Sequence, residues 1–267
     1  DKGVAFVAPL AALGRAHSFP LVSIVDRIVR RFVPLAVRVW WRRGGAVNLG
    51  DLRSPEPLSR VFGSDRGQPI CRWYITRFLA AHAGGIHGRV LEVAGNDYTR
   101  RFGGARVTRS DVLMVVEGNP AATIVGDLQT GAGIPEGAFD AIILTQVLQC
   151  VFDLPGAMRT IHRALAPGGT VLITAPAIAP VSQYDVVRWG EFWHLTPQSL
   201  TRLLATEFGA DQVQVSACGN HIAAHAYLAG MAADELTDAE LAPHDPDYPV
   251  VITAVATRTP LRATTSA

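Results

Sequence analysis

The stretch Gly88-Arg-Val-Leu-Glu-Val-Ala-Gly95 decides the fold. It is an apolar strand that delivers an acidic residue, Glu92, and then a glycine into the turn before the next helix. An open α/β sheet takes its ligands at the carboxyl ends of its strands, beside the crossing where strand order reverses. Two later apolar-rich stretches end the same way. ARVTRSDV (105–112) brings Asp111 and ATIVGDL (122–128) brings Asp127. Acids at three successive strand ends suit a ligand with several hydroxyls and an amino group, as a nucleoside has.

Outward from that stretch the chain alternates. Strands are expected near 89–94, 106–111, 122–126, 139–145, 169–175, 212–217 and 249–257. Helices are expected near 71–83, 97–103, 155–166 and 197–208. The third helix opens on Asp153-Leu-Pro155 and stops at Pro167-Gly-Gly169; the fourth opens on Thr196-Pro197, a cap followed by a first-turn proline. Such alternation predicts an α/β fold: a Rossmann-like, doubly wound, mostly parallel sheet covered on both faces.

The 267 residues, 49% hydrophobic and 18% charged, suffice for one large domain with an elaborated end. Residues 1–70 read as an N-terminal extension, 71–260 as the main domain and 261–267 as a tail. Within the extension, Leu21, Ile24, Val25, Ile28, Val29 and Phe32 recur at helical spacing, so a basic amphipathic helix is expected over about 20–33. Residues 20–43 carry six arginines against Asp26, a local charge of +5, with Trp40 and Trp41 following the helix. Such a segment suits either an anionic membrane surface or the protein's own body. Residues 44–70, rich in Gly, Pro and Ser, read as a lid-like loop.

The formal net charge is +1, so no global field recruits nucleic acid. Cys71, Cys150 and Cys218 are far apart and form no Cys-x-x-Cys pair, which disfavours a disulfide framework or zinc site and fits a reducing cytosol. No apolar run reaches the length of a membrane span, and residues 4–13 are too short and proline-interrupted to make a strong export signal. A cytoplasmic protein, with membrane-peripheral placement through the basic stretch as a second option, is expected.

The ordered set GRVLEVAG, SD, GDL, FDAIILTQVLQCVFD and IHRALAPGGTVLITAP, spanning residues 88–176, resembles the core of class I S-adenosylmethionine-dependent methyltransferases. The resemblance implies a seven-stranded sheet whose last pair is antiparallel, with S-adenosyl-L-methionine as cofactor. It implies that Glu92 helps anchor the methionine amino end and that the backbone of Ala94, Gly95 and Asn96 runs under the cofactor. Asp111, followed by Val112, matches the acid that accepts from both ribose hydroxyls. Asp127 matches the acid that accepts from the adenine amino group, with Leu128 packed on the ring, and Gln146 lines the methionine side. The family's turn reads D-x-G-x-G, whereas Glu92 to Asn96 reads E-V-A-G-N. Two glycines are replaced, although Ala94 adds only a methyl group and Asn tolerates a left-handed backbone.

Methyl transfer to an alcohol needs a base close to the acceptor hydroxyl. The segment after the fifth strand, APAIAPVSQYDVVRWGEFWHLTPQSL, offers His194 first, whose ordinary pKa suits a neutral base, then Asp185, Tyr184 and Glu191. Trp189, Phe192 and Trp193 offer aromatic faces for the apolar side of a sugar ring or for a flat ring. Asp65, Arg66, Arg72 and Tyr74, ahead of the first strand, offer polar contacts from a lid. No adjacent acidic pair lies in these loops, so no metal is expected.

A narrower resemblance rests on DRGQPICRWYI, YTRRFGG, TQVLQC, WGEFWHLTPQSL and DPDYPVVITAVA, within residues 54–257. The chain is similar to bacterial methyltransferases associated with glycan assembly, often found beside glycosyltransferases. This implies O-methylation of a sugar or oligosaccharide hydroxyl. The alternatives are another small-molecule acceptor, such as a phenolic or polyketide metabolite, or a non-catalytic partner of a glycosyltransferase. A nucleic-acid acceptor is disfavoured because the segment after the fourth strand reads Thr145-Gln-Val-Leu148, without the Pro-Pro-aromatic run of amino methylation. A dinucleotide oxidoreductase is disfavoured because no GxGxxG follows the first strand.

Overall fold

The structure, a computed structural model, describes residues 54–260. The expected helix at 20–33, the loop as far as residue 53 and the tail at 261–267 lie outside the described residues. In chain order the main elements are α1 (Ile70–Ala81), β1 (Gly88–Val93), β2 (Val107–Met114), β3 (Ile124–Val125), β4 (Phe139–Thr145), α2 (Leu154–Ala164) and β5 (Leu165–Pro176). There follow α3 (Gln183–Arg188), α4 (Pro197–Phe208), β6 (Val213–Cys218), α5 (His221–Ala229), α6 (Asp238–Leu241) and β7 (Val251–Thr257).

The seven strands lie in the order β3-β2-β1-β4-β5-β7-β6. Pairs among β1 to β5 are parallel, and β7 runs antiparallel to both of its neighbours. The sequence-expected sheet, with its antiparallel last pair, is therefore present. Strand order reverses between β1 and β4, the crossing beside which such sheets bind ligands.

Each central strand is buried on both faces because its side chains alternate between two cores. Leu91, Leu113, Ile142, Leu144, Val171 and Ile173 pack on one side with Leu154, Met158 and Ile161 of α2 and with Leu200, Leu204 and Phe208 of α4. Val90, Ala141, Ile143 and Leu172 pack on the other with Ile70, Ile75, Phe78 and Leu79 of α1 and with Ala223, Ala224 and Tyr227 of α5. Truncating any of these large aliphatic side chains to alanine typically costs about 2–5 kcal/mol, so the sheet is a rigid platform for its loops.

The helix starts follow the sequence signals. The Asp153 carboxylate accepts from Gly156 N at 2.9 Å, and Thr196 exchanges capping bonds with Ser199. α5 was not expected; it carries little amphipathic contrast, but Asn220 caps it by accepting from Ala223 N at 3.0 Å. The expected helix at 97–103 is largely one wide turn, Thr99–Gly103.

Residues 58–69, within the expected lid-like loop, form a strap bonded to the end of α5 and to the segment that follows it. Leu58 N donates to Ala229 O at 2.7 Å, Ala233 N donates to Gln68 O at 2.7 Å, and Pro69 bridges Ala232. Gly230 ends α5 at φ +82°, and a Cβ there would lie 2.4 Å from Ser59 O. Only glycine permits both that left-handed turn and that approach.

Candidate active site

A cavity of about 890 Å³ opens at the carboxyl ends of β1, β2 and β4. That is toward the upper end of small-molecule sites, which span roughly 300–1,000 Å³. It is lined in three regions: Arg72, Glu92 to Gly95, Asp97 and Tyr98; then Leu113 to Val116 with Gly126 to Gln129; then Thr145 to Val147, Gln149 to Val151, Asp185, Arg188 and Trp189.

At the first region Glu92 is buried at the end of β1. Its Oε2 accepts from Thr99 N at 2.8 Å and Thr99 Oγ1 at 2.7 Å, and Oε1 from Tyr98 N at only 3.3 Å. One oxygen is therefore fixed and the other weakly held. Burial pushes this carboxyl above its ordinary value, opposed by the bonds from Thr99 and Tyr98. Beside it the Arg72 guanidinium donates to Tyr98 Oη at 2.9 Å, the one hydrogen-bond acceptor it meets among the described residues.

The turn after β1 departs from expectation in detail. Ala94, not Asn96, takes the left-handed conformation, at φ +67°. Ala94 N donates to Leu113 O at 3.0 Å and Ala94 O accepts from Asn119 Nδ2 at 3.1 Å, which pin the strained residue. Asn96 donates to Ser110 Oγ at 3.1 Å and does not line the cavity. At Gly95 nothing lies within 4 Å of where a Cβ would stand, so the backbone edge is bare.

Asp111 is not where the resemblance implies. β2 continues three residues past it to Met114, so Asp111 sits mid-strand opposite Leu91 and is 1% exposed. Its carboxylate accepts from Arg89 Nε at 2.7 Å, Arg109 Nη2 at 3.1 Å and Thr123 Oγ1 at 2.9 Å. Burial raises its pKa, but these bonds outweigh burial and hold it below the ordinary value. Neither Asp111 nor the buried Val112 lines the cavity; Val115 and Val116, beyond the strand end, do. Asp127 and Leu128 do line it. The Asp127 carboxylate accepts from Gln129 N at 2.8 Å and Thr130 Oγ1 at 3.1 Å, an arrangement that orders the loop after β3.

The acceptor-side expectations also divide. Asp185 and Trp189 line the cavity; His194, Tyr184 and Trp193 do not. His194 Nε2 lies 3.2 Å from Glu191 Oε1, and the other Glu191 oxygen accepts from Ser182 N at 2.6 Å. Glu191 and His194 thus brace the loop after β5. Tyr184 is 63% exposed, stacked under Arg188 at 3.5 Å. Trp193 donates to Val151 O at 3.0 Å. Of the expected lid residues, Arg66 pairs with Glu235, Tyr74 is buried and donates to Leu241 O at 2.8 Å, and Asp65 lies on the strap away from the cavity lining. Arg72 alone of that group reaches the cavity. Gln149, Cys150 and Arg188 were not singled out; only the strand-end position of Gln149 and Cys150 signals them. Cys150 is pushed up to about 12 by burial, with the Asp185 and Glu191 carboxylates adding to it, so its thiol stays protonated.

A family model described as a methyltransferase domain matches residues 74–212. The chain belongs to this methyltransferase family. Among solved structures, an S-adenosylmethionine-dependent methyltransferase from Mesorhizobium loti is 17% identical over 70% of this chain and 98% of that one, with a TM-score of 0.47. N-methyltransferase NodS from Bradyrhizobium japonicum WM9, in complex with S-adenosyl-L-homocysteine, is 15% identical over 79% of this chain and 95% of that one, with a TM-score of 0.45. The [4+2]-cyclase SpnF is 17% identical over 89% and 96%, with a TM-score of 0.49. No curated protein matches.

The methyltransferase has the seven-stranded class I fold, whose expected cofactor is S-adenosylmethionine. The cavity's chemistry fits that group. Four carboxylates (Glu92, Asp97, Asp127, Asp185) face two guanidiniums (Arg72, Arg188), a formal charge of −2 that favours a cationic ligand. Leu113, Val115, Val116 and Leu128 supply apolar walls for a flat ring, and the bare edge at Gly95 admits close approach. Among the described residues no group of three or more His, Cys, Asp or Glu side chains could hold a metal ion, and no helix is long and apolar enough to cross a membrane.

Proposed function

We propose that the methyltransferase moves a methyl group to a hydroxyl of a sugar or oligosaccharide in glycan biosynthesis. The observation that carries this reading is the make-up of the third lining region. Asp185, Arg188, Gln146 and Gln149 bring polar groups, and Trp189 an aromatic ring, to the same lining, a set suited to a ring bearing several hydroxyls. A phenolic or polyketide acceptor calls instead for a mainly apolar wall.

In this reading Glu92 takes the methionyl ammonium and Arg72 the carboxylate, because each is a half-satisfied charge at the same end of the cavity. Asp127 and Leu128 hold the adenine. The ribose lies along Val115 and Val116 past the end of β2, since Asp111 is engaged within the sheet. When bound, S-adenosylmethionine supplies an electrophilic methyl group on sulfur. The protein's task is to hold the acceptor oxygen in line and take its proton. Asp185 does the latter: it is the carboxylate on the acceptor side of the lining, and the proton passes to it as the new C–O bond forms. His194 braces the loop instead. Association with a glycosyltransferase or a membrane face through residues 20–43 belongs to the same proposal.

The test is incubation with labelled cofactor and a panel of mono- and oligosaccharides, followed by mapping of the methylated position. Label in a saccharide hydroxyl is expected. Transfer confined to phenolic or polyketide acceptors would sink the sugar reading and leave the methyltransferase.

A further inference from the structure

Among the described residues three buried side-chain polar atoms lack a hydrogen-bond partner: Gln146 Nε2, Gln149 Oε1 and Thr174 Oγ1. All three fall at the carboxyl ends of β4 and β5. Thr174 stands opposite Thr145 in the parallel pairing, and Gln146 N donates to Thr174 O at 2.9 Å. Gln149 Nε2 donates to Gln146 O at 3.0 Å. A carbonyl accepts only from a donor, so that bond fixes the orientation of the Gln149 amide and leaves its oxygen as the unpaired atom. Gln149 is 5% exposed, and both glutamines line the cavity. Gln146 also holds a left-handed backbone at φ +55°. Buried polar atoms are ordinarily paired, and strained residues gather at functional sites. Three orphans and a strained residue at one strand edge mark an incomplete site.

We propose that Gln149 is a specificity-determining residue for the acceptor. Its carboxamide oxygen accepts from an acceptor hydroxyl adjacent to the one that is methylated, and Gln146 Nε2 donates to that same hydroxyl. This rests on the methyltransferase reading of the cavity. A hydroxyl donates and accepts at once, so it satisfies both amides. A carboxylate or phosphate brings no donor, leaves Gln149 Oε1 unpaired and is rejected at this position. The subsite therefore selects a neutral vicinal diol.

The experiment compares wild type with Gln149→Met, which keeps side-chain length and removes both polar atoms. Each protein, saturated with S-adenosylhomocysteine, is titrated by NMR with methyl α-hexopyranosides and with a methyl hexuronide at the same concentrations. The wild type is expected to bind at least one neutral glycoside, with its Gln149 side-chain amide signal shifting. The variant should bind that glycoside at least about tenfold more weakly. Its affinity for S-adenosylhomocysteine should stay within about twofold, and its melting temperature should stay within a few degrees, because removal of the unpaired oxygen offsets loss of the Nε2 bond to Gln146 O. The proposal is overturned if the variant keeps wild-type glycoside affinity, if it melts several degrees lower with affinity kept (a buried structural water), or if no neutral glycoside binds the wild-type complex. Failure of S-adenosylhomocysteine to bind wild type, read in its own calorimetric titration, would instead overturn the cofactor reading.

Discussion

Arg89 Nε donates to Asp111 Oδ2 at 2.7 Å, tying the start of β1 to the middle of β2 through a carboxylate that solvent does not reach. Asp111→Asn leaves Arg89 with a weakened partner inside the sheet. A loss of about 2 kcal/mol or more in denaturant unfolding is expected, with S-adenosylhomocysteine affinity nearly unchanged. The pH dependence has a definite sign. The folded-state pKa is depressed, so this carboxylate stabilises the protein above its unfolded value of about 4, and that contribution is lost as pH falls through the folded value. The Asn variant should therefore lose less stability than wild type over the same acid range. A variant with normal stability and abolished cofactor binding would return Asp111 to the cavity.

Glu92 carries the opposite shift. Burial raises its pKa, so the folded protein pays a penalty above that value that is relieved as pH falls through it. The charged form is the one that attracts an ammonium group. Calorimetry should thus show S-adenosylhomocysteine binding weakening on acidification, while Glu92→Gln binds at least about tenfold more weakly at neutral pH with a flatter pH profile. Unchanged affinity in that variant would remove Glu92 from the site.

Ala94 is a second strained position, held by its bonds to Leu113 and Asn119. Ala94→Gly relieves roughly 1 kcal/mol of left-handed strain and loosens the unfolded chain by a similar amount, so stability should stay within about 1 kcal/mol. Ala94→Val places a β-branched side chain at the same φ and should cost about 2 kcal/mol or more, with weaker cofactor binding. Equal behaviour of the two variants in thermal melts would mean that the turn is not strained.

On the acceptor side, Asp185→Asn should lower turnover at least about a hundredfold, while His194→Ala should change it only a few-fold. The measurement is label transfer to whichever panel acceptor is methylated, with S-adenosylhomocysteine affinity as the control for folding. The reverse ranking would give the proton to His194.

The sheet was legible because β-strands buried on both faces read as apolar runs. Val90, Leu91 and Ile142 to Leu144 show the pattern, and Thr196 to Pro197 announced α4 at the right residue. Legibility failed where a strand end had to be located to within three residues. The run Val112 to Val116 is apolar throughout, so an acid at 111 resembles a terminus although the ladder goes on to Met114. The place of His194 was hidden for another reason. Sequence can put a histidine in a loop near a site but does not show that a buried carboxylate three residues earlier has claimed it. The strap at 58–69 has the composition of a loop, and only its tertiary bonds to residues 229–235 reveal a fixed path.

β7 lies between β5 and β6, although it follows them both in sequence. During synthesis β6 leaves the ribosome with no neighbour to join and waits with both edges unpaired until residue 257 follows. The nascent polypeptide therefore completes its sheet only after residue 257 has been made, and a stop codon anywhere before residue 251 would orphan β6 as well as delete β7.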